Sequence, residues 1–401
     1  MDLDRQTDIP KCRKTVWIGV IGVLLFVACN IIFIGRNVTQ QFQIPSIFEE
    51  EQEVAVARQL DPDISVAYTN ISSSDRFAAC LLCMDDNFRL PEWLAYHYHT
   101  LNLRRLIVTV DPKSRTSPQA ILDRWGTVFE HIELWNDTTF GFKRNRQPLF
   151  YVKCMKRFLE LGYEWTGLFD VDEFVRLNPS RIQNVTEAMW RPGAVATFLK
   201  ESREDVPPEN RTIQLTHPES KLDESLRGVF KADACFIMAR AEFISSQRAT
   251  NITTSNRGKY PHFIQEELFD TLQWNLRPRE IGVNGKPFLN VQKIEKDLKA
   301  SRTPKVHSAY GPRRCRPGRQ PKGDFHIFLN HYIGSYEYFT YRQDSRGEKR
   351  IKRFHRRNSV NSADLAIDGE AVSPWLGGFI HHMGVQRAEE LLKGVGVLEE
   401  W

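Results

Sequence analysis

Residues 165–174 read Trp-Thr-Gly-Leu-Phe-Asp-Val-Asp-Glu-Phe. The first five have the length and apolar character of a buried strand. The chain then turns polar with two aspartates one residue apart, Asp170 and Asp172. Carboxylates just beyond a strand stand where the backbone leaves the sheet, and in open α/β sheets ligands collect at the carboxyl ends of the strands. Paired oxygens of this kind suit a hard divalent cation, Mn2+ or Mg2+, which takes one or two carboxylates and completes its sphere with substrate phosphates. A cation so held offsets the charge of a diphosphate leaving group. A bare Asp-x-Asp is more often a solvated acidic turn. The apolar strand before this one, and the phenylalanine on each side, favour a site.

Upstream, apolar strands alternate with amphipathic helices. Phe77–Met84 (FAACLLCM) is a continuous apolar run, as in a strand buried on both faces of a parallel sheet. Pro91 then suits the first turn of a helix through EWLAYHYHTLNL. Arg105–Val110 predicts a second strand closing on Asp111-Pro112, Ile121–Trp125 a short helix and Val128–Leu134 a third strand. Gln147–Leu161 carries Leu149, Val152, Met155, Phe158 and Leu159 as one helical stripe. This order predicts an α/β fold with a Rossmann-like βαβ sheet, helices on both faces, and the Asp-x-Asp site at its edge. Further acids fall at the expected strand ends, namely Asp85, Asp86 and Asp111. Asp111 reads equally well as the turn residue before a proline. Glu92 favours a helix N-terminus, and Trp93 reads as a core indole.

Downstream, VATFLK (195–200) and CFIMAR (235–240) look like strands and IQEELFDTLQWNL (264–276) looks helical. Phe325–Leu329 reads as a strand ending near His331, where a neutral imidazole is able to join a metal site; His307 is the runner-up. Residues 313–322 form a basic Pro/Gly-rich loop, 346–357 a basic charge run whose default is a solvated face, and a last helix starts at Val385.

The chain of 401 residues has ordinary globular composition, and its 55 Lys and Arg against 50 Asp and Glu leave +5, too little to announce a nucleic-acid binder. Thr15–Gly35 is an uncharged run of 21 residues, about 32 Å as a helix, enough for a hydrocarbon core of about 30 Å. It is too long, and followed by too poor a cleavage site, to read as a signal peptide. Arg5, Lys11, Arg13 and Lys14 precede it, and Glu49, Glu50, Glu51 and Glu53 follow Arg36, so the positive side stays cytoplasmic. The expectation is a single-pass type II membrane protein: tail 1–14, transmembrane signal-anchor 15–35, stem 36–74 with some helix near Phe48–Leu60, catalytic body 75–347, and C-terminal segment 348–401.

Six Asn-x-Ser/Thr sequons, at Asn37, Asn70, Asn136, Asn184, Asn210 and Asn251, all lie after the anchor, on the side where N-glycosylation occurs. Of the body cysteines Cys80, Cys83, Cys154, Cys235 and Cys315, an odd number, at least one is free or intermolecular. Cys80 and Cys83, three apart on a strand, point to opposite faces, so they read as buried core cysteines rather than joint metal ligands.

Three segments resemble the family 92 glycosyltransferases and neighbouring GT-A enzymes. Residues 87–97 resemble the family's N-x-x-x-x-E-W-L-x-Y-H, 170–174 its D-x-D-E-F, and 331–339 its H-Y-x-x-S-x-E-x-F, in order between about 77 and 347. The resemblance implies a GT-A fold, a nucleotide-sugar donor, Mn2+ and a Golgi membrane address with the body in the lumen. It implies a metal pair in Asp170 and Asp172, with His331 completing the set. Asp111, Asp170, Asp85 and Asp86 would serve the donor, and Tyr332, Ser335 and Glu337 would line the far wall. An inverting reaction needs a general base, for which Glu266, Glu267, Asp270 and Asp233 stay open. The expected partners are a UDP-linked donor and a glycan or glycoprotein acceptor, with no nucleic acid. Two rivals remain: a catalytically silent GT-A module acting as lectin or scaffold, and a membrane-anchored metal-dependent phosphoester hydrolase.

Overall fold

The apolar run after residue 76 forms β1 (Phe77–Cys83), buried on both faces as its lack of polar alternation requires. In this computed structural model the described residues are 77–135, 146–204, 206–216, 235–245, 260–279, 285–300, 304, 316–317, 326–342, 347–360, 364–367 and 373–399. They belong to the second of two units, 61–401. The tail, the run 15–35, the stem, sequons Asn37, Asn70, Asn136 and Asn251, the loop around Cys315, and candidates Asp233 and His307 lie outside the described residues. Among the described residues no helix is long and apolar enough to cross a membrane.

After β1 come α1 (Leu90–Thr100), β2 (Leu103–Val110), α2 (Gln119–Trp125), β3 (His131–Trp135), α3 (Arg146–Glu160), β4 (Trp165–Phe169) and β5 (Glu173–Leu177). Helices α4 (Val185–Trp190) and α5 (Ala194–Arg203) lead to β6 (Cys235–Ile237) and β7 (Ala239–Phe243). Then follow α6 (Asp270–Gln273), β8 (Leu276–Pro278), β9 (Pro287–Asn290), α7 (Glu295–Lys299) and β10 (Arg316–Pro317). The chain closes with β11 (Ile327–Tyr332), α8 (Tyr336–Tyr341), α9 (Glu348–Asn358), β12 (Leu365–Ile367), α10 (Pro374–Met383) and α11 (Val385–Leu392).

The main sheet runs β10-β6-β9-β4-β1-β2-β3. Strands β4, β1, β2 and β3 are mutually parallel, whereas β9 is antiparallel to both β4 and β6. Reading outward from β1, the order reverses between β2 on one side and β4 on the other. That topological switch point is where open α/β sheets bind ligands. A second sheet, β5-β11-β7, sits β5 antiparallel and β7 parallel to β11. The chain passes between the two sheets at the Asp170–Asp172 turn and again at Met238, between β6 and β7.

Strand alternation divides the core. Ala79, Leu81 and Cys83 face Trp93 and Leu94 of α1 together with Trp375, Phe379 and Leu391 of the last two helices. Ala78 and Cys80 face Phe150, Met155 and Phe158 of α3. Cys80 is therefore not a plain core thiol: it faces α3 and is disulfide-bonded to Cys154 there. Cys83, on the opposite face, is a free buried thiol, and Cys235 is disulfide-bonded.

Three element readings are corrected. VATFLK lies in helix α5, because Val195, Phe198, Leu199 and Ser202 bury one helical face that outweighs the β-propensity of the run. The helix expected over 264–276 is broken into a 3-10 turn at Glu266–Leu268 and the single turn α6, with Phe269 extended between them. The cause is long-range: the N–H groups of Asp270 and Thr271 donate to the Glu92 carboxylate at 2.8 and 2.9 Å. The third strand starts at His131, not Val128, because the amides of Val128 and Phe129 fold back to the Trp125 carbonyl.

Candidate functional site

The turn between β4 and β5 is set by its own backbone and by a buried lysine. Glu173 N–H donates to the Asp170 carbonyl at 3.1 Å, and Asp170 N–H donates to Glu173 Oε2 at 2.9 Å. Lys286, fully buried at the entry to β9, places its Nζ 2.7 Å from Asp170 Oδ2 and 3.3 Å from Glu173 Oε2. Burial pulls the Lys286 pKa down, but Asp170 and Glu173 more than reverse it, so the ammonium stays charged above its ordinary range. Burial holds the Glu173 carboxyl above its ordinary range despite Lys286. The remaining Asp170 oxygen, Oδ1, accepts from Gln147 Nε2 at 3.2 Å.

Asp172 turns to a different set of groups. Its carbonyl accepts from Tyr332 N–H at 2.9 Å, which ties the turn to the end of β11. Its Oδ2 lies 3.4 Å from His331 Nε2 and 4.0 Å from Arg89 Nη1. Burial favours the neutral acid, yet His331, Arg89 and Arg342 outweigh it and hold Asp172 well below the usual carboxylate range.

Arg89 is itself buried and reaches Asp270 Oδ2 with its Nε at 2.7 Å. Asp270 Oδ1 accepts from Trp274 Nε1 at 2.9 Å. Beneath it Glu92 accepts the amides of α6 and the Thr271 hydroxyl, the latter at 2.7 Å. Burial, then the neighbouring Asp270, raises the Glu92 pKa. The three-part chain Asp172–Arg89–Asp270 thus joins the switch point to α6. Gly334 closes over it: its φ is +79°, and an added Cβ would overlap Arg89 Nη2.

Of the residues expected from sequence, Asp170, Asp172, His331 and Asp270 meet in this region. Asp85 and Asp86 do not present free carboxylates to a ligand. Asp85, at φ +52°, accepts from Ser114 Oγ and from the amides of Arg115 and Thr116 at 3.2, 2.6 and 3.2 Å, so it anchors the loop after β2. Asp86 accepts from Met84 N–H at 2.8 Å and stands 3.3 Å from Arg342 Nε. Asp111 Oδ1 accepts from Lys113 N–H at 2.9 Å, the short-range bond of a turn residue. Trp93 is core, with its indole donating to the Glu173 carbonyl at 3.0 Å. Tyr332 is buried, and Ser335 caps α8 by accepting from Tyr338 N–H. Glu266 and Glu267 lie on the 3-10 turn, whereas Asp270 has both oxygens engaged. Asn184 and Asn210 are exposed.

A hard divalent cation fits part of this set. Two donor atoms each about 2.1 Å from one cation lie about 3–4 Å apart, and Asp172 Oδ2 and His331 Nε2 meet that spacing at 3.4 Å. Asp170, in contrast, has one oxygen on Lys286 and the other on Gln147. Among the described residues no group of three His, Cys, Asp or Glu side chains is arranged to hold a metal. In this geometry Lys286 and Gln147 engage the Asp170 oxygens, while Asp172 faces His331.

Sequence reasoning missed Lys286 and Arg89. Lys286 precedes an apolar strand in Gly-Lys-Pro-Phe-Leu-Asn, and a fully buried lysine is rare enough that only its two carboxylate partners explain it.

No family model and no curated protein matches the chain. Among solved structures it is similar to mannose-1-phosphate geranyltransferase from Thermus thermophilus, at 10% sequence identity and a TM-score of 0.23, over 76% of this chain and 68% of that one. A likeness at that level carries no functional argument, so the reading of function rests on the geometry of the site.

Proposed function

We propose that the chain is a glycosyltransferase of GT-A type that moves a sugar from a UDP-linked nucleotide donor to a glycan hydroxyl. In this reading it is a single-pass type II protein of the Golgi membrane with its body in the lumen. The observation that carries the reading is the position of Asp172, its Oδ2 3.4 Å from His331 Nε2 at the carboxyl end of a parallel sheet and beside its topological switch point.

Asp172 and His331 would be the protein ligands of Mn2+, which when bound neutralises the diphosphate of the donor. Arg89 keeps Asp172 charged and lends a second positive group beside the phosphates. Lys286 fixes the part-exposed Asp170 and so holds the turn that carries Asp172 in place. Asp270 acts through Arg89 as a positioning group, its own oxygens being engaged. The role of accepting the hydroxyl proton stays open between Glu266 and Glu267, on the turn just before α6, and Asp233, which lies outside the described residues.

The test is a transfer and donor-hydrolysis assay on the detergent-solubilised full-length chain with a panel of UDP-sugars and Mn2+. Turnover in the wild type, with at least a hundredfold loss in Asp172→Asn at unchanged thermal stability, supports the reading. Turnover equal in both, or undiminished in excess EDTA, overturns it. Donor binding without turnover would instead favour a silent GT-A module.

A further inference from the structure

Helix α9 carries a dense local excess of positive charge. Residues 348–358 of α9 hold six Lys and Arg and one Glu, while the whole chain has 55 basic against 50 acidic residues. A charge run this dense on an 11-residue helix raises the local positive potential.

Two of the six cations serve the fold. Arg350 is buried, donates to the Arg342 carbonyl at 3.0 Å and lies 4.1 Å over the Phe339 ring. Arg357 Nη2 pairs with Glu242 Oε1 at 2.8 Å. Phe354, on the same side, packs against Phe339 and Tyr336 of α8 at 4.8 and 5.4 Å. The other four, Lys349, Lys352, Arg353 and Arg356, are all exposed. Their spacing of i, i+3, i+4 and i+7 sets them on one face, in a stripe about 10.5 Å long. Among the described residues no carboxylate is within ion-pair distance of any of them.

The stripe is anchored next to the candidate site. Glu242, the partner of Arg357, is on β7 directly beside His331 of β11 in the strand register. Helix α8, on which α9 packs, begins four residues after Tyr332 ends β11. A chain-like ligand with one end at the Asp172–His331 pair would thus find positive charge waiting along α9.

We propose that the stripe Lys349–Lys352–Arg353–Arg356 docks an acidic glycan, one bearing carboxylates or sulfates on successive sugars, and that this glycan is the acceptor. The proposal rests on the glycosyl-transfer reading above and names its acceptor class. A row of cations about 5–6 Å apart matches a flexible polymer with repeated anionic groups. A membrane surface is disfavoured, because an interfacial helix needs a broad apolar face and α9 exposes only Ile351.

The test measures binding and turnover separately on the full-length chain. Binding of a polyuronate and of a heparin-type sulfated oligosaccharide is compared with that of a neutral galactan, with phosphatidylserine vesicles and with single-stranded RNA. The quadruple variant Lys349→Gln, Lys352→Gln, Arg353→Gln, Arg356→Gln is set against a control that removes the same charge elsewhere, Arg191→Gln, Lys296→Gln, Lys299→Gln, Lys393→Gln. The expected result is binding of the acidic glycans alone, at least tenfold weaker in the stripe variant and within twofold of wild type in the control. Donor hydrolysis by water should stay unchanged in the stripe variant, while Asp172→Asn should lose hydrolysis and keep glycan binding. Equal glycan binding by stripe variant and control overturns the proposal, as does a preference for vesicles or RNA. Loss of hydrolysis without loss of glycan binding separates a failure at the metal pair from a failure of the docking surface.

Discussion

His331 Nε2 stands 3.4 Å from Asp172 Oδ2, although the two residues lie in separate parts of the chain. The pairing follows from the second sheet: β11 runs antiparallel to β5, with His331 opposite Glu173, and the Tyr332 amide bonds the Asp172 carbonyl. Two local turns are thereby locked face to face before any ligand arrives, which is the preorganisation that an electrostatic site requires.

Gly334 should tolerate no side chain. Its left-handed backbone costs about 1–2 kcal/mol for an L-residue, and an alanine methyl would also displace the Arg89 guanidinium from between Asp172 and Asp270. Gly334→Ala is expected to lower stability by about that amount and to reduce turnover at least tenfold. Thermal melting and initial rates check the two effects separately.

Lys286→Met should also destabilise. The change takes the ammonium away from the part-exposed Asp170 and from the buried Glu173, whose carboxyl burial already holds toward its neutral form, and the lost buried polar contacts cost about 1–3 kcal/mol. Burial already favours the neutral Glu173 acid, so adding Glu173→Gln should leave the double variant melting close to the single one. A double variant that melts well above Lys286→Met would show instead that Glu173 is ionised in the folded protein.

Cys80 and Cys154, 74 residues apart, tie β1 to α3. Closing a loop of that length stabilises by about 4 kcal/mol in the chain-entropy picture. Cys80→Ala with Cys154→Ala should lower the denaturant midpoint accordingly, while Cys83, buried and with its thiol pKa pushed up by burial, should stay unreactive toward a thiol reagent in the native protein. Thiol counting before and after denaturation checks this.

Much of the frame was legible because it is written in local patterns. The run at 77–83, the stripe from Leu149 to Leu159 and the five residues before Asp170 each show the period of the element they form. What escaped was set by distant partners. Phe269 breaks a helical pattern because Glu92, 177 positions earlier, takes the amides that a continuous helix would have used internally. Asp85 looked like a ligand because its role as a loop anchor depends on Ser114 and Thr116, which no spacing rule links to it. The pairing of Asp170 with Lys286 escaped because nothing around 170–174 reveals a lysine arriving from β9.

His97 offers a pH test of the core. Its Nδ1–H donates to the Trp93 carbonyl and its Nε2 accepts from the Val175 amide, at 2.9 and 3.3 Å, so the folded state needs the neutral ring. Burial pushes its pKa down to about 3. The unfolded chain protonates it near 6.5, so its contribution is complete above that pH and shrinks by about 1.4 kcal/mol per unit as pH falls toward 3. The penalty of His97→Asn, measured against wild type, should therefore be about 2 kcal/mol smaller at pH 5 than at pH 7. A penalty independent of pH would contradict the neutral-ring assignment.

The most direct test of the central claim is the thermal stability of the full-length chain in a Mn2+ titration with UDP present, in wild type, Asp172→Ala and His331→Ala. A ligand that binds only the folded state must raise its melting temperature by mass action. The account predicts a concentration-dependent rise in wild type that is lost in both variants. A rise of equal size in all three proteins, or none in wild type, would contradict it.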